Sequence, residues 1–286
     1  MRHPILMTLC LGGALAVSAC DKNPNADVER AVSELNVIDE TNLNDVMLTV
    51  GDPNEAVTYF QRAVAGNPER IDLMRGLGKS LIRAKRAREA VNVWTKVVDS
   101  NEATNEDRVQ LADAHIRSGD WAKAEAALDT IPPTYETYKR YRLEAMVADG
   151  NKEWEKADSF YEIAAGLTTK PSNILNNWGY SKLTRGDYPG AERLFGEALT
   201  HDRTLFTAKN NLVLARAAQR KYDLPVVPMT QVERAQLLHT AALSAIKQGD
   251  VSTGQALLKE AIATHPQHFE AAVHALRALE NNVSNG

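Results

Sequence analysis

Small and large apolar residues recur along this chain with a nearly constant period. Six small residues carry the period, and the first five are 34, 34, 33 and 34 positions apart: Ala56, Ala90, Ala124, Ala157, Ala191 and Gly254. Four positions after each comes a large apolar residue: Phe60, Trp94, Leu128, Tyr161, Phe195 and Leu258. Residues four apart share one face of an α-helix, so each pair marks the buried stripe of a helix. The pattern therefore predicts a stack of similar helical units.

A period near 34 with a small residue four positions before a large apolar one is typical of tetratricopeptide (TPR) repeats. We therefore predict an all-α fold, a right-handed TPR superhelical solenoid of antiparallel helix pairs. Arrays of this kind present an extended concave surface that binds other proteins. The expected function is therefore protein binding.

Glycine–aspartate pairs mark the turn inside several predicted repeats. They lie five and four residues before the small residue, at Gly119-Asp120, Gly186-Asp187 and Gly249-Asp250. Glycine adopts the left-handed conformation that ends a helix, and aspartate caps the next helix. Before Ala157 the dipeptide Gly150-Asn151 lies two residues further upstream. We expect a longer turn there, after a second helix that Pro132-Pro133 shortens.

Two further positions are expected to hold helices together. Leu77-Gly78 and Trp178-Gly179 lie 13 and 12 residues before their small residues, where the two helices of a pair should touch. Tryptophan falls only at predicted core or turn positions, and we interpret all four as packing residues: Trp94, Trp121, Trp154 and Trp178.

The chain divides into five predicted segments. Residues 1–19 are a signal peptide and residues 20–36 a lipidated cysteine with a polar tether. Residues 37–222 are the TPR array, with five repeats and a lone helix: 37–70, 71–104, 105–137, 138–171, 172–205 and 206–222. Pro225 and Pro228 make residues 223–230 an irregular linker. Residues 231–286 are predicted to form a TPR-like helix pair and a capping helix.

The first twenty residues are typical of a lipoprotein precursor. Arg2 is followed by a thirteen-residue apolar run, residues 5–17, which is too short for a membrane span but suits a signal peptide. The run ends in Val17-Ser18-Ala19-Cys20, which resembles the bacterial lipobox. That resemblance implies cleavage before Cys20 and attachment of acyl chains such as palmitate, which would anchor the protein to a membrane. The alternative is an ordinary signal peptide with an incidental cysteine.

The chain also resembles a known family. The resemblance rests on the lipobox, the repeat number, NNWGYSKLTRGDYPGAERLFGEAL at residues 176–199 and AKNNLVLARAAQRKYDLP at residues 208–225, before the broken repeat. These features are similar to the TPR lipoproteins of the tight-adherence (Tad/Flp) pilus system, called TadD. The resemblance implies a scaffold that faces the periplasm from the outer membrane and helps the pilus secretin to form or localise. Asp21 resembles an inner-membrane retention signal, so the inner membrane stays an alternative.

Two asparagine pairs are the first candidates for partner binding. Asn176-Asn177 and Asn210-Asn211 lie 34 residues apart in successive first helices, the helices that line the groove of a TPR array. Asparagine offers both a donor and an acceptor, so these side chains could hold the backbone of an extended peptide. Tyr180 and Leu214, one turn further on, would form an apolar floor. Alternatively, the asparagines bond to neighbouring repeats or helix ends.

A basic stripe is the second candidate. Arg75, Lys79 and Arg83 are spaced four residues apart and share one helix face, where they could bind an acidic segment or a terminal carboxylate. The alternative is an ordinary solvated helix face. We expect no metal site at His265, His268 and His274, because their spacing matches no known metal motif and Pro266 separates two of them.

Composition narrows the remaining function classes. The net charge of −4 gives no case for nucleic-acid binding, and Cys10 and Cys20 leave no cysteine pair in the mature chain. Nucleophile-elbow, zinc-protease, P-loop and dinucleotide motifs are absent, so we predict no enzyme, no cofactor and no small-molecule substrate. Two other functions stay open: a TPR lipoprotein of outer-membrane protein assembly, and an activator of peptidoglycan-remodelling enzymes.

Overall fold

The computed structural model describes residues 43–284, whose regular structure is entirely α-helical. The helices of this range are α1 (residues 43–49), α2 (Pro53–Gly66), α3 (Ile71–Arg83), α4 (Ala87–Val98), α5 (Asn105–Ser118), α6 (Trp121–Asp129), α7 (Tyr138–Gly150), α8 (Trp154–Gly166), α9 (Ser172–Thr184), α10 (Tyr188–His201), α11 (Phe206–Ala218), α12 (Gln231–Lys247), α13 (Val251–Thr264) and α14 (Glu270–Ser284). Each helix packs mainly on its neighbours in sequence. This arrangement is a TPR-like solenoid, which confirms the predicted fold class.

The periodic residues form the core of the array. The five alanines and Gly254 are buried, and so are the large apolar residues four positions after them. The predicted crossing points are equally tight. A Cβ atom on Gly78 would lie 2.6 Å from the Trp94 ring, and one on Gly179 would lie 2.7 Å from the Phe195 ring. Helix pairs therefore approach closely because glycine occupies these positions.

Most of the turns inside the helix pairs share one backbone conformation. Gly119, Gly186 and Gly249 have φ values of 84°, 85° and 82°, which confirms the predicted left-handed residues. Lys152, five residues before Ala157, has φ 62°. The expected longer turn is therefore wrong, because α7 continues through Gly150 and a lysine takes the left-handed place.

The predicted helix caps are only partly confirmed. Asp187 and Asp250 accept hydrogen bonds from the backbone N–H groups of Gly190 and Thr253. Asp120 caps no helix with its side chain and instead pairs with Lys123 at 2.9 Å. Helix α6 has only nine residues, in agreement with the effect expected of Pro132-Pro133.

Helix α11 lacks a helical partner of its own. Arg220, two residues after its end, is left-handed at φ 60° like the turn residues above, yet residues 221–230 contain no helix. Side chains of this irregular segment pack on the core instead: Leu224 and Met229 contact the cluster of Val213, Leu237 and Ala241. The segment thus covers apolar surface that a second helix would otherwise cover.

Within residues 43–284, no helix is both long and apolar enough to cross a membrane. The predicted signal peptide, the lipidation site Cys20 and the tether of residues 20–36 lie outside the described residues.

Candidate peptide-binding cavity

A cavity of about 500 Å³ lies on the face formed by three successive first helices. Helices α7, α9 and α11 provide most of its lining, and the starts of α6 and α8 contribute one tryptophan each. We call it the α7–α11 cavity. It is the place where several repeats present aromatic, amide and carboxylate side chains to one space.

Three of the four predicted asparagines line the α7–α11 cavity. Asn211 donates through Nδ2 to Oδ1 of Asn176 over 3.1 Å, and both residues are buried. This bond joins α9 to α11, as the alternative interpretation of the asparagines expects. It leaves Nδ2 of Asn176 and Oδ1 of Asn211 without a partner among the described residues. One donor and one acceptor on the cavity wall match the needs of a peptide unit.

Asn177 and Tyr180 are more accessible than this pair. Asn177 makes only a weak contact, 3.8 Å from Nδ2 to the sulfur of Met146, and Tyr180 is 53% exposed. Asn210 and Leu214 do not line the cavity. Asn210 accepts a hydrogen bond from Thr240 at 2.8 Å and so connects α11 to α12, while Leu214 is half-buried on α11. The partner-binding role of these six residues stays a prediction.

Two tryptophans at helix starts form the aromatic wall of the cavity. Trp121 is 40% exposed and lies against Gly150, where a Cβ atom would be 3.4 Å from the ring. Trp154 is held by Arg185, whose guanidinium lies 5.5 Å from the ring centroid. Trp121 thus packs on Gly150, as the interpretation of the tryptophans as packing residues expects, but it is also the exposed one of the four. An aromatic residue directly after the turn is a weak sequence signal for these positions, because Tyr188 occupies the equivalent place in the next repeat and does not line the cavity.

Asp149 is the one charged residue in the cavity lining. Its carboxylate accepts hydrogen bonds from the hydroxyl groups of Tyr161 at 2.9 Å and Ser181 at 2.6 Å. Burial raises the pKa of Asp149 above its usual value, although these two hydrogen bonds oppose the shift. No described cationic side chain forms a salt bridge with it.

A second carboxylate near the cavity has the opposite environment. Asp158 accepts from Trp178 at 2.6 Å and from Lys182 at 2.9 Å, and it also pairs with Arg185. Burial alone would raise the pKa of Asp158, but these hydrogen bonds and the two cations hold it below its usual value. The network ties α8 to α9 and fixes Trp154 through Arg185.

The predicted basic stripe lies elsewhere, and two of its members are engaged between repeats. Arg75 forms two hydrogen bonds of 2.9 Å with Asp107, and Arg83 donates to the backbone oxygens of Met47 and Gly51 at 2.7 and 2.8 Å. Only Lys79 is exposed. The stripe is therefore neither a free basic surface nor a simple solvated face, since its arginines join α3 to the neighbouring repeats.

The rest of the described chain provides no comparable candidate site. A hollow of about 780 Å³ lies at the N-terminal end of the array, against residues of α1 and α2 such as Met47 and Tyr59. Its lining comes from this single helix pair, next to residues outside the described range, so we assign it no function. The described residues contain no group of three or more potential ligands placed to hold a metal ion.

Comparison with known proteins supports the architecture. Residues 48–101 match the sequence profile of a tetratricopeptide repeat family. The fold is similar to that of the APC/C hetero-tetramer Cut9-Hcn1, with a TM-score of 0.59 and 16% identity over 82% of this chain and 48% of that chain. This protein thus spans about half the length of that chain. No curated protein sequence matches the chain.

Two similar structures are nearly fully covered by this fold. A tetratricopeptide repeat protein from Parabacteroides merdae has a TM-score of 0.54 and 14% identity, over 84% of this chain and 96% of that one. PilW, described as a widely conserved type IV pilus biogenesis factor, has a TM-score of 0.54 and 13% identity, over 72% and 99%. At these identities the likeness shows the fold alone. The chain is therefore a TPR-like solenoid, an architecture that presents an extended concave surface.

Proposed function

We propose that this protein is a lipid-anchored, periplasm-facing TPR scaffold of the Tad/Flp pilus system. It binds an extended segment of a protein partner, the pilus secretin, and helps the secretin to assemble or localise. The α7–α11 cavity is the observation that carries the proposal. Its accessible amide and aromatic groups suit the backbone and side chains of a peptide, and binding requires no chemistry by the protein itself.

The proposed link to the pilus system rests on which part of the sequence resembles the TadD family. Residues 176–199 and 208–225 carry the resemblance to the TadD lipoproteins. The same stretches contain much of the α9 and α11 lining, including Asn177, Tyr180 and Asn211. The occurrence of this fold in PilW, a pilus biogenesis factor, is compatible with the proposal.

The membrane anchor is proposed to be Cys20, with acyl chains that include palmitate. Cys20→Ala should abolish incorporation of radiolabelled palmitate and leave the precursor uncleaved or the product unanchored, because each buried methylene contributes about 0.8 kcal/mol to membrane binding. Undiminished labelling of the variant would disprove the anchor. Density separation of the two membranes tests the proposed outer-membrane location, and recovery wholly with the inner membrane would reverse it.

The double variant Asn177→Ala/Tyr180→Ala tests the cavity as the partner-binding site. The loss of a hydrogen bond and an aromatic contact, each worth about 0.5–1.5 kcal/mol, should weaken secretin binding about 5- to 150-fold. Binding is measured by calorimetry with the purified secretin of the same cell, and helical content by circular dichroism. Ile163→Ala is the matched control, since Ile163 is 43% exposed on α8 and lies outside the cavity. Unchanged affinity in a folded double variant would rule out the cavity.

A further inference from the structure

The carboxylate of Asp149 is the one charged group in the lining of the α7–α11 cavity, and it has no salt-bridge partner among the described residues. Several buried or half-buried carboxylates of the array have cationic partners: Asp107 has Arg75, Glu106 has Lys139, and Asp158 has Lys182 and Arg185. Asp149 instead receives two hydroxyl groups, from Tyr161 and Ser181. These bonds satisfy some of its acceptor sites but leave its charge without a direct cationic contact on the wall of the α7–α11 cavity.

The rest of the cavity is suited to a cation with an apolar stem. Trp121 and Tyr180 are both accessible, at 40% and 53% exposure, and their ring faces attract cations. Oδ1 of Asn177 accepts no hydrogen bond from the described residues, so it offers a further acceptor. A guanidinium presents five N–H donors in a plane, which allows it to stack on a ring and bond to a carboxylate at once.

We propose that the α7–α11 cavity recognises an arginine side chain of an extended partner segment, with Asp149 as its countercharge and Trp121 and Tyr180 as its aromatic walls. The inference rests on the proposed function, since it names the anchor that this cavity takes from its partner. The amide groups of Asn176 and Asn211 hold the adjoining backbone. The peptide thus contributes both shape and charge to recognition.

Other anchors fit the same cavity less well. A purely apolar side chain would remove water from Asp149 without providing a partner, which costs free energy for a partly buried charge. An acidic side chain would be repelled by the carboxylate. Lysine would neutralise Asp149, but a compact ammonium cannot match the planar stacking and multiple bonds of a guanidinium.

A displayed library of random peptides tests the anchor whatever the identity of the partner. The full chain in detergent is the bait, and the Asn177→Ala/Tyr180→Ala variant identifies the peptides that bind in the cavity. We expect these peptides to carry arginine at one fixed position. Cavity-binding peptides with an aromatic, aliphatic or acidic residue at that position would overturn the inference while leaving the proposed peptide-binding function intact. A library with no cavity binder would overturn both.

A matched pair of peptides then measures how much the charge of the arginine contributes to affinity. Replacing the arginine of a selected peptide with citrulline keeps its shape and removes its charge, and should weaken binding about 10- to 100-fold, as for loss of a charged hydrogen bond. This measurement requires no protein variant, so it does not depend on whether a mutant folds. Equal affinity of the two peptides would contradict the proposal.

Asp149→Asn should abolish most of the difference between the arginine and citrulline peptides, because the amide keeps the shape of the carboxylate without its charge. The control is Glu162→Gln, which removes one negative charge from an exposed position on α8 outside the cavity. Glu162→Gln should preserve the full difference. If both variants reduce the affinity difference between the two peptides equally, the arginine responds to the overall charge of the protein and not to Asp149. The inference is then wrong.

Discussion

Replacing Trp94 with alanine should lower the free energy of unfolding by about 3–5 kcal/mol, the usual cost of truncating a large aromatic residue in a core. The indole is fully buried and belongs to the cluster that includes Leu77, Leu81 and Leu111. Gly78 presses against the ring from α3, so the void left by the alanine would lie where α3 and α4 cross. Because a solenoid is stabilised by contacts between neighbours, loss of this crossing should also weaken the adjoining repeats.

Urea unfolding followed by circular dichroism measures this effect. Trp94→Phe is the matched control and should cost clearly less, because it keeps an aromatic ring and removes an indole N–H that has no hydrogen-bond partner among the described residues. Gly78→Ala should destabilise the wild-type chain, since its Cβ would lie 2.6 Å from the indole, yet it should stabilise the Trp94→Ala chain. A loss below about 1 kcal/mol for Trp94→Ala would show that the crossing collapses around the void.

Sequence periodicity predicts the core of this protein well because the same contact is repeated. Ala90 and Trp94 lie on one helix face, and the equivalent pair recurs in each repeat at the same interface. Every repeat thus supplies an independent observation of one packing arrangement. The turn before Ala157 departs from the prediction because Lys152, and not Gly150, holds the left-handed conformation, at the usual distance from the alanine. The distance from the small residue of the repeat therefore predicts the position of the left-handed residue better than the presence of a nearby glycine does.

Contacts between repeats are harder to predict from the pattern of a single helix. Arg75 pairs with Asp107, 32 positions later, and Asn211 bonds to Asn176, 35 positions earlier. Both separations are close to one repeat, so the partner of a polar residue on a first helix is often its counterpart in the next. The prediction of a basic stripe compares Arg75 only with residues on its own helix. It therefore misses the salt bridge between Arg75 and the carboxylate of Asp107.

The cavity carboxylate is detectable in the aligned repeats. The position eight residues before each small residue is aliphatic in the other five repeats: Leu48, Ile82, Ile116, Leu183 and Ile246. In the fourth repeat that position is Asp149. A charged residue in an aliphatic column indicates a local departure from core packing, and here the structure places it on the cavity wall. The rings and hydroxyl groups around Asp149 come from four helices, so the cavity could be identified only from the structure.

Glu233→Ala should lower the free energy of unfolding by about 2–4 kcal/mol, somewhat less than the usual cost of breaking a fully buried ion pair. The carboxylate of Glu233 lies 3.1 and 3.2 Å from Nζ of Lys209, whose side chain is only 3% exposed. It also accepts the backbone N–H of Thr230 at 2.8 Å and so completes the capping box at the start of α12. The Glu233 side chain thus connects α11 to α12 and also caps the start of α12, the helix that follows the irregular segment.

Two further variants separate these roles. Glu233→Gln retains an acceptor for the Thr230 N–H but loses the charge, so the difference between Gln and Ala measures the cap, worth about 0.5–2 kcal/mol. Adding Lys209→Met to Glu233→Ala removes the buried ammonium and should restore most of the lost stability. Urea unfolding of the four proteins measures each step. If Lys209→Met gives no recovery, the unpaired ammonium is not the source of the loss.

The pH dependence of stability gives an independent check on Glu233. Its pKa is held below the usual value, chiefly by the backbone N–H of Thr230 and further by Lys209. Because the folded state binds this proton less readily than the unfolded chain, the contribution of Glu233 is fully present above the unfolded pKa of about 4.3. It is lost as the pH falls through the lower folded value. The wild-type protein and Glu233→Gln should therefore differ in stability at pH 7 and converge below about pH 4. A difference that stays constant down to acidic pH would mean that the charge of Glu233 does not hold α11 and α12 together.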